Sequence, residues 1–308
     1  MIVNSSTLSA IFTDFKVLFQ EAFKQAKPLK DQFAMTVPSS TKQNLYPWLE
    51  RMPGMREWLG DRDIADLEAN GYTIVNKKYE GTIALERTDI EDDNLGVYTP
   101  AISQLGYSAG LHPDRLLASL ITNGFTAGIG NCYDGLPFFS ATHKFGKNKK
   151  VTYANNDTAK LSATSYAAAR AAILSVLNTD GNPFNYDPQF ILVVGPTNEA
   201  NALQIVNAEF GVITGNNGPI SNIWKGTAKV VILPDLSGTY ANYWALFATT
   251  PFMRPLIWQQ RQAPRLVSAT NPDNQEALMR DKYIFATDYR GNAGYGLWQM
   301  AYGSIGTV

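Results

Sequence analysis

The stretch Thr99-Pro-Ala-Ile-Ser-Gln-Leu-Gly-Tyr-Ser-Ala-Gly-Leu-His-Pro-Asp-Arg-Leu-Leu-Ala-Ser-Leu-Ile-Thr-Asn-Gly124 reads as one long helix. Ile102, Leu105, Leu111, Leu116, Leu117, Leu120 and Ile121 recur at helical spacing. Thr99 offers a cap, Pro100 suits the first helical position, and Gly124 is a stop. Pro113 lies inside and is read as a kink in one helix rather than a break between two. A helix of this length amid short strands sets the class as α+β.

Upstream, residues 5–26 form a second amphipathic pattern: Leu8, Ile11, Phe12, Phe15, Leu18, Phe19, Ala22 and Phe23. Asn4, Ser5 or Ser6 caps it and Pro28 ends it. It either docks on its own core or reaches as an arm onto a neighbouring copy; the sequence leaves both open. Residues 34–69 hold Pro38, Pro47 and Pro53 with Tyr46, Trp48, Met52 and Trp58. So much aromatic surface with so little regular structure is expected to lie on another domain or chain. Tyr72–Val75 and Thr82–Leu85 read as strands about a Gly81-containing turn or bulge that projects Lys77 and Lys78. The carboxylates Asp89, Glu91, Asp92 and Asp93 follow.

Downstream, Ser162–Leu177 (helix), Gln189–Val194 (strand), Pro196–Phe210 (helix) and Ala228–Leu233 (strand) give α/β character confined to about 131–251. Lys147–Ala159 and Gly211–Gly226 are Gly/Asn-rich and read as mobile linkers. Strands return at Leu256–Trp258, Arg265–Val267, Lys282–Ala286 and Tyr295–Ala301.

Composition narrows the function. The 308 residues are 45% hydrophobic, enough for a full core. Lys plus Arg (26) and Asp plus Glu (27) nearly cancel, which excludes a bulk nucleic-acid binder. Near-neutrality also does little to hold identical copies apart. One cysteine forms no internal disulfide, and two histidines are too few for a His/Cys zinc cage. Asp14, Lys16, Glu21 and Lys24 interrupt the N-terminal apolar positions, so neither a signal peptide nor a membrane span is expected.

The census of catalytic parts is short. Cys132 and His143, with Asp134 as a third member, are the one conceivable nucleophile–base set. Cys132 sits in a turn, however, and His143 lies eleven positions on, so a structural cysteine beside an ordinary loop histidine is favoured. The 89–93 carboxylates lack the spacing of a calcium loop and read as a solvated acidic turn or as ion-pair partners. Val194-Gly195-Pro196 lacks the glycines and free amides that a phosphate needs. No cofactor is expected.

Five short landmarks, in order, carry a resemblance. They are Trp48-Leu…Met52-Pro…Glu57-Trp58-Leu-Gly-Asp-Arg62, Gly71-Tyr-Thr-Ile-Val-Asn-Lys-Lys-Tyr-Glu-Gly-Thr82, Asp89-Ile-Glu-Asp-Asp-Asn-Leu-Gly96, Cys132-Tyr-Asp-Gly-Leu-Pro-Phe-Phe139 and Ala293-Gly-Tyr-Gly-Leu-Trp-Gln-Met-Ala301. Together they resemble the Mu-like phage major head subunit, within the tailed-phage major capsid fold. The resemblance implies an N-terminal arm (1–33), an extended loop (34–80) and a peripheral domain (81–130 and 252–308) with a spine helix at about 100–124. An axial domain (131–251) completes it.

The implied function is structural: self-assembly into hexamers and pentamers that close an icosahedral head around phage DNA, without catalysis. The implied partners are other copies, a separate scaffold protein, head-assembly proteins and a possible decoration protein. Packaged double-stranded DNA would be touched weakly, with no membrane. Virion localisation follows, after assembly in the host cytoplasm. Many relatives carry an N-terminal scaffolding segment removed by a protease; here the helical arm begins at once, hence the separate scaffold. Candidate inter-subunit contacts are Trp48, Arg56, Trp58, Arg62, Lys77, Lys78, Glu91, Asp92 and Asp93, with the basic residues meeting acidic turns such as 91–93. A lysine-to-asparagine crosslink at Lys77 or Lys78 has no identifiable second partner.

Overall fold

The structure, a computed structural model, describes residues 4–49, 71–145, 151–178, 181–211, 220–269 and 279–307. The helices are α1 (Ser5–Gln25), α2 (Lys30–Phe33), α3 (Arg87–Glu91), α4 (Thr99–Asn123), α5 (Ala163–Leu174) and α6 (Glu199–Asn207). The first strands are β1 (Ala34–Pro38), β2 (Gln43–Tyr46), β3 (Tyr72–Val75), β4 (Lys77–Glu86), β5 (His143–Phe145), β6 (Val151–Tyr153) and β7 (Asn156–Asp157). After them come β8 (Gln189–Val194), β9 (Phe210–Gly211), β10 (Ile220–Ser221), β11 (Lys229–Ile232), β12 (Trp244–Thr249), β13 (Leu256–Ala269), β14 (Lys282–Tyr295) and β15 (Ala301–Ser304).

One sheet has the order β1-β13-β14-β4 and is covered on one face by α1 and α4. The α1 stripe Leu8, Ile11, Phe15, Phe19 and Ala22 is buried, and Phe15 meets Phe285 edge-on at 5.1 Å. Exposing side chains of this size costs about 1.5–3 kcal/mol each. The arm is therefore part of its own subunit's core and does not reach out. Two glycines one helical turn apart on α4 allow this closeness. A Cβ on Gly106 would lie 2.4 Å from the Phe19 carbonyl oxygen, and one on Gly110 would lie 2.5 Å from Ala26 Cβ. The chain then turns at 26–30, where Asp114 on α4 accepts the main-chain N–H groups of Leu29 (2.8 Å) and Lys30 (2.7 Å).

Helix α4 is continuous across Pro113. Its first residue is Thr99, and the cap position is taken by Tyr98 without a side-chain hydrogen bond, so Thr99 is not the cap. The strand reading needs more correction. Lys77–Glu86 is one ten-residue strand, paired antiparallel with β14 throughout, and no turn forms at Gly81. The alternate positions Tyr79, Gly81, Ile83 and Leu85 are the more sheltered ones, and at Gly81 the Leu105 methyl occupies the space beside the backbone, 2.8 Å from where a Cβ would stand. β3 pairs with β2 instead. The two segments expected at 256–258 and 265–267 are one strand with register shifts near Gln262. Tyr295–Ala301 is not one strand: β14 ends at Tyr295, Trp298–Met300 is a short 3-10 helix, and β15 starts at Ala301.

The second sheet has the order β11-β8-β12-β15-β7. β8 and β12 are almost wholly buried, which explains their unbroken apolar sequences. Its fourth strand, β15, comes from the C-terminal stretch, so residues 301–304 pack with 131–251 rather than with the long hairpin. α5 ends at Leu174, and the helix expected from Pro196 opens as a 3-10 turn before α6. The described parts of the two linkers carry β6, β7 and β10.

The aromatic stretch after residue 34 is covered within the chain as far as it is described. Met35, Tyr46 and Leu49 are buried, and Trp48 is half-buried edge-on against Tyr46. The fully buried Gln259 ties this stem to β13. It accepts the Tyr46 hydroxyl at 2.7 Å and donates to the Ile74 carbonyl (3.1 Å) and Asn76 Oδ1 (2.8 Å). Burial pushes the Tyr46 phenol up to about 12. Gln259→Leu leaves all three groups unsatisfied and is expected to destabilise the subunit by about 2–4 kcal/mol, read from its denaturant midpoint.

Candidate assembly surfaces

The conceivable catalytic residues do come together, though not as a dyad. Asp134 Oδ1 accepts the Cys132 thiol at 3.1 Å and the Leu136 N–H at 3.1 Å; its Oδ2 lies 2.6 Å from His143 Nδ1. His143, at the start of β5 rather than in a loop, is fully buried and places Nε2 3.3 Å from the Phe138 carbonyl. Its ring stacks on Trp298 at 4.1 Å, 5° from parallel. Burial pushes the Cys132 thiol far up, and the nearby Asp134 carboxylate adds to this. Burial also pushes the Asp134 carboxyl up, but the hydrogen bonds from His143, Cys132 and Leu136 outweigh it and leave it below the ordinary aspartate value. The carboxylate holds the thiol proton and the imidazole separately, so the group fastens 132–143 to the C-terminal Trp298 and presents no nucleophile. The Sγ, carboxylate and imidazole atoms lie within 4.8 Å of one another, a spacing already filled by these hydrogen bonds. Asp134, read from the sequence as a third member of the set, is its centre, because its two oxygens bridge what the chain separates.

The junction at Gly195 is equally structural. A Cβ there would lie 1.9 Å from the Leu236 carbonyl oxygen, so the glycine admits the bend that follows β11.

The open face of the first sheet carries a charge pattern invisible in the linear sequence. Lys78 lies directly opposite Arg290, and Glu80 opposite Asp288. Like charges thus face each other in two adjacent rows, an unfavourable arrangement within one chain. Asp288 is relieved by Arg265 at 2.9 Å and by the Gln262 amide at 3.3 Å, and its carboxyl is held below the usual range, by the Arg265 guanidinium first and by Gln262 and Arg290 after it. Beyond the charged rows, Thr82, Ala286 and Val267, then Ala84, Ile284 and Ala269, continue the same face as an apolar band. Lys77 and Lys78 are exposed on β4, not on a turn. Glu91, Asp92 and Asp93 are exposed at the far end of β4; Glu91 pairs with Arg87 at 2.9 Å, and Asp93 has φ 60°. Arg56, Trp58 and Arg62 lie outside the described residues.

The family model described as "Mu-like prophage major head subunit gpT" matches residues 8–160, 157–236 and 235–308, nearly the whole chain. The chain belongs to the Mu-like major head subunit family. Within it, this head subunit is 30% identical to the Mu-like prophage FluMu major head subunit of Haemophilus influenzae over 99% of its length and 75% of that protein's. It is 31% identical to the major capsid protein of Escherichia phage Mu, over 98% of its length and 74% of that protein's. Among solved structures it is similar to a chain of the bacteriophage JBD30 procapsid, at 28% identity and TM-score 0.61, covering 98% of this chain and 76% of the other. The fold is that of tailed-phage major capsid proteins. The head subunit is thus a structural, non-enzymatic component of the virion shell, and the Cys132–His143 hydrolase alternative has no support. No described helix is long and apolar enough to cross a membrane.

Proposed function

We propose that this head subunit assembles into hexamers and pentamers that close an icosahedral shell around double-stranded DNA, with a separate scaffold protein and head-assembly proteins directing closure and a decoration protein as a further partner. Its parts are allotted as arm (1–33), extended loop (34–80), peripheral domain (81–130 and 252–308, less β15) and axial domain (131–251, whose sheet β15 joins). The observation that supports this reading is the outer face of the first sheet, which sets like charges opposite one another, Lys78 against Arg290 and Glu80 against Asp288, on exposed or half-exposed strand positions. A neighbour offering opposite charges relieves the repulsion and fixes register. Individually weak contacts suffice, because closure holds each bond through the others.

Lys77, Lys78, Arg56 and Arg62 meet acidic turns of adjacent copies, residues 91–93 foremost, with Trp48 and Trp58 covering the apolar part of the contact. A near-neutral chain leaves packaged DNA only weakly held. Sedimentation of the overexpressed protein, alone and with its scaffold, tests the reading: large particles are expected, and a monomer under every condition contradicts it. Reversing both Asp92 and Asp93 to lysine is expected to lower particle yield by roughly tenfold or more. Lysine at the φ 60° of Asp93 costs some stability of its own, so the melting temperature is read beside the yield and Asp92→Lys alone is the control; normal yield contradicts the contact assignment.

A further inference from the structure

β4 is the outermost strand on its side of the first sheet. It pairs with β14 over all ten residues without a register shift and contains no proline. Among the described residues, the main chain of residues 77–85 makes no hydrogen bond other than those to β14. Its outward N–H and C=O groups therefore form a template for another strand. The opposite edge of this sheet is blunted: β1 covers 256–260, and beyond it β13 has register shifts and Pro264. In the second sheet the edge strands are short, four residues in β11 and two in β7.

Charge selects the strand that fits this edge. Lys78 and Glu80 are exposed, and neither has an ion-pair partner among the described residues. Two copies of one edge pair antiparallel about a two-fold axis, and the ladder closes only where opposed residues turn their main-chain groups the same way. The axis must then pass beside a residue rather than between two. Beside Lys78 or Glu80 it sets like charges together, which is unfavourable. Beside Tyr79 it sets Lys78 opposite Glu80 of the partner subunit, and Glu80 opposite Lys78 of the partner subunit. The like-charged rows of one chain then become complementary across the junction. Arg290 and Lys78 continue into two carboxylates, and Asp288 and Glu80 into two cations. On the sheltered side of the strand, Tyr79, stacked on Tyr289 at 5.0 Å, meets its own copy as a cross-strand aromatic pair. An axis beside Thr82 would instead call on Glu86, which already pairs with Lys282 at 3.5 Å. The β4 sequence is complementary to itself, and a second copy is the partner that carries it.

We propose that β4 pairs edge to edge with β4 of a second copy, antiparallel and centred on Tyr79, so that one sheet runs through two subunits. The pairing rests on the shell reading above and adds a strand contact to it. Each single reversal, Lys78→Glu or Glu80→Lys, sets opposite charges across β4 and β14 but like charges across the junction. Each is expected to leave the melting temperature of the subunit unchanged or raised while shell yield falls roughly tenfold. The double reversal restores the opposition between copies and is expected to return the yield to that of the unmodified chain. Oxidised shells of the Lys78→Cys/Glu80→Cys variant are expected to give covalent dimers and no longer ladder. Opposed positions of an antiparallel pair lie within disulfide reach, and Cys132 is buried. Normal yield from both single reversals, a double reversal that assembles no better than the singles (the result if residues 91–93 alone held Lys78), or oxidised shells without dimers would each overturn the pairing and leave the shell reading in place. Failure of the unmodified chain to form shells overturns the shell reading, and the pairing with it.

Discussion

Replacing Asp134 by alanine is expected to be the most damaging single change to the isolated subunit, at about 3–5 kcal/mol. One carboxylate satisfies three donors: the His143 ring, the Cys132 thiol and the Leu136 main chain. Alanine leaves them buried without partners, and a buried donor left unmatched costs about 1–3 kcal/mol. The loss spreads, because His143 is stacked on Trp298, and Trp298 also meets Phe145 edge-on. Cys132→Ala, which removes a donor and leaves the carboxylate its other two, is expected to cost far less. Equilibrium denaturation of the two variants checks the order; equal effects would show that Asp134 does not organise the cluster.

The pH dependence has a defined sign. The Asp134 carboxyl titrates lower in the folded chain than in the unfolded one. The unfolded chain therefore takes up the proton first as pH falls. Asp134's contribution is complete above the ordinary aspartate range and is lost as pH drops through the folded value. Asp134→Asn is expected to flatten the acid limb of the stability curve and to leave its slope above pH 5 unaltered.

The second large effect is expected at Gly106. Valine there drives a side chain into the Phe19 carbonyl, where even a bare Cβ has only 2.4 Å. Neither partner yields easily, since the obstacle is main chain on one helix and the site is main chain on the other. Relief requires α1 to lift from α4 and uncover Phe15 and Phe19, so a loss of about 3 kcal/mol or more is expected. Limited proteolysis supplies the specific readout: α1 becomes cleavable in Gly106→Val while the sheet cores stay resistant. Gly96→Val, where a Cβ meets nothing within 4 Å, is the control.

What the sequence revealed follows from the range of the forces involved. α1, α4 and β8 were legible because each buries a stripe or a whole strand that local periodicity records. β4 was misread because Gly81 is a turn residue by composition, whereas the structure uses its missing side chain to admit Leu105. Docking of the arm on its own subunit was left open, although Gly106 and Gly110, four apart on a helix, were the available sign of close packing. The charged candidate contacts were chosen by charge, and Trp48 and Trp58 by aromatic surface in a stretch with little regular structure. The opposition of Lys78 to Arg290, and of Glu80 to Asp288, depends on strand register across more than two hundred residues, which no local pattern encodes.

Cryo-electron microscopy of the particles formed by this chain is the most direct measurement. The account requires closed shells of six-fold and five-fold rings in which the sheet face bearing Lys78, Glu80, Asp288 and Arg290 lies against another copy. Shells in which that face meets only solvent, or a chain that remains a single folded unit with its scaffold present, would contradict it.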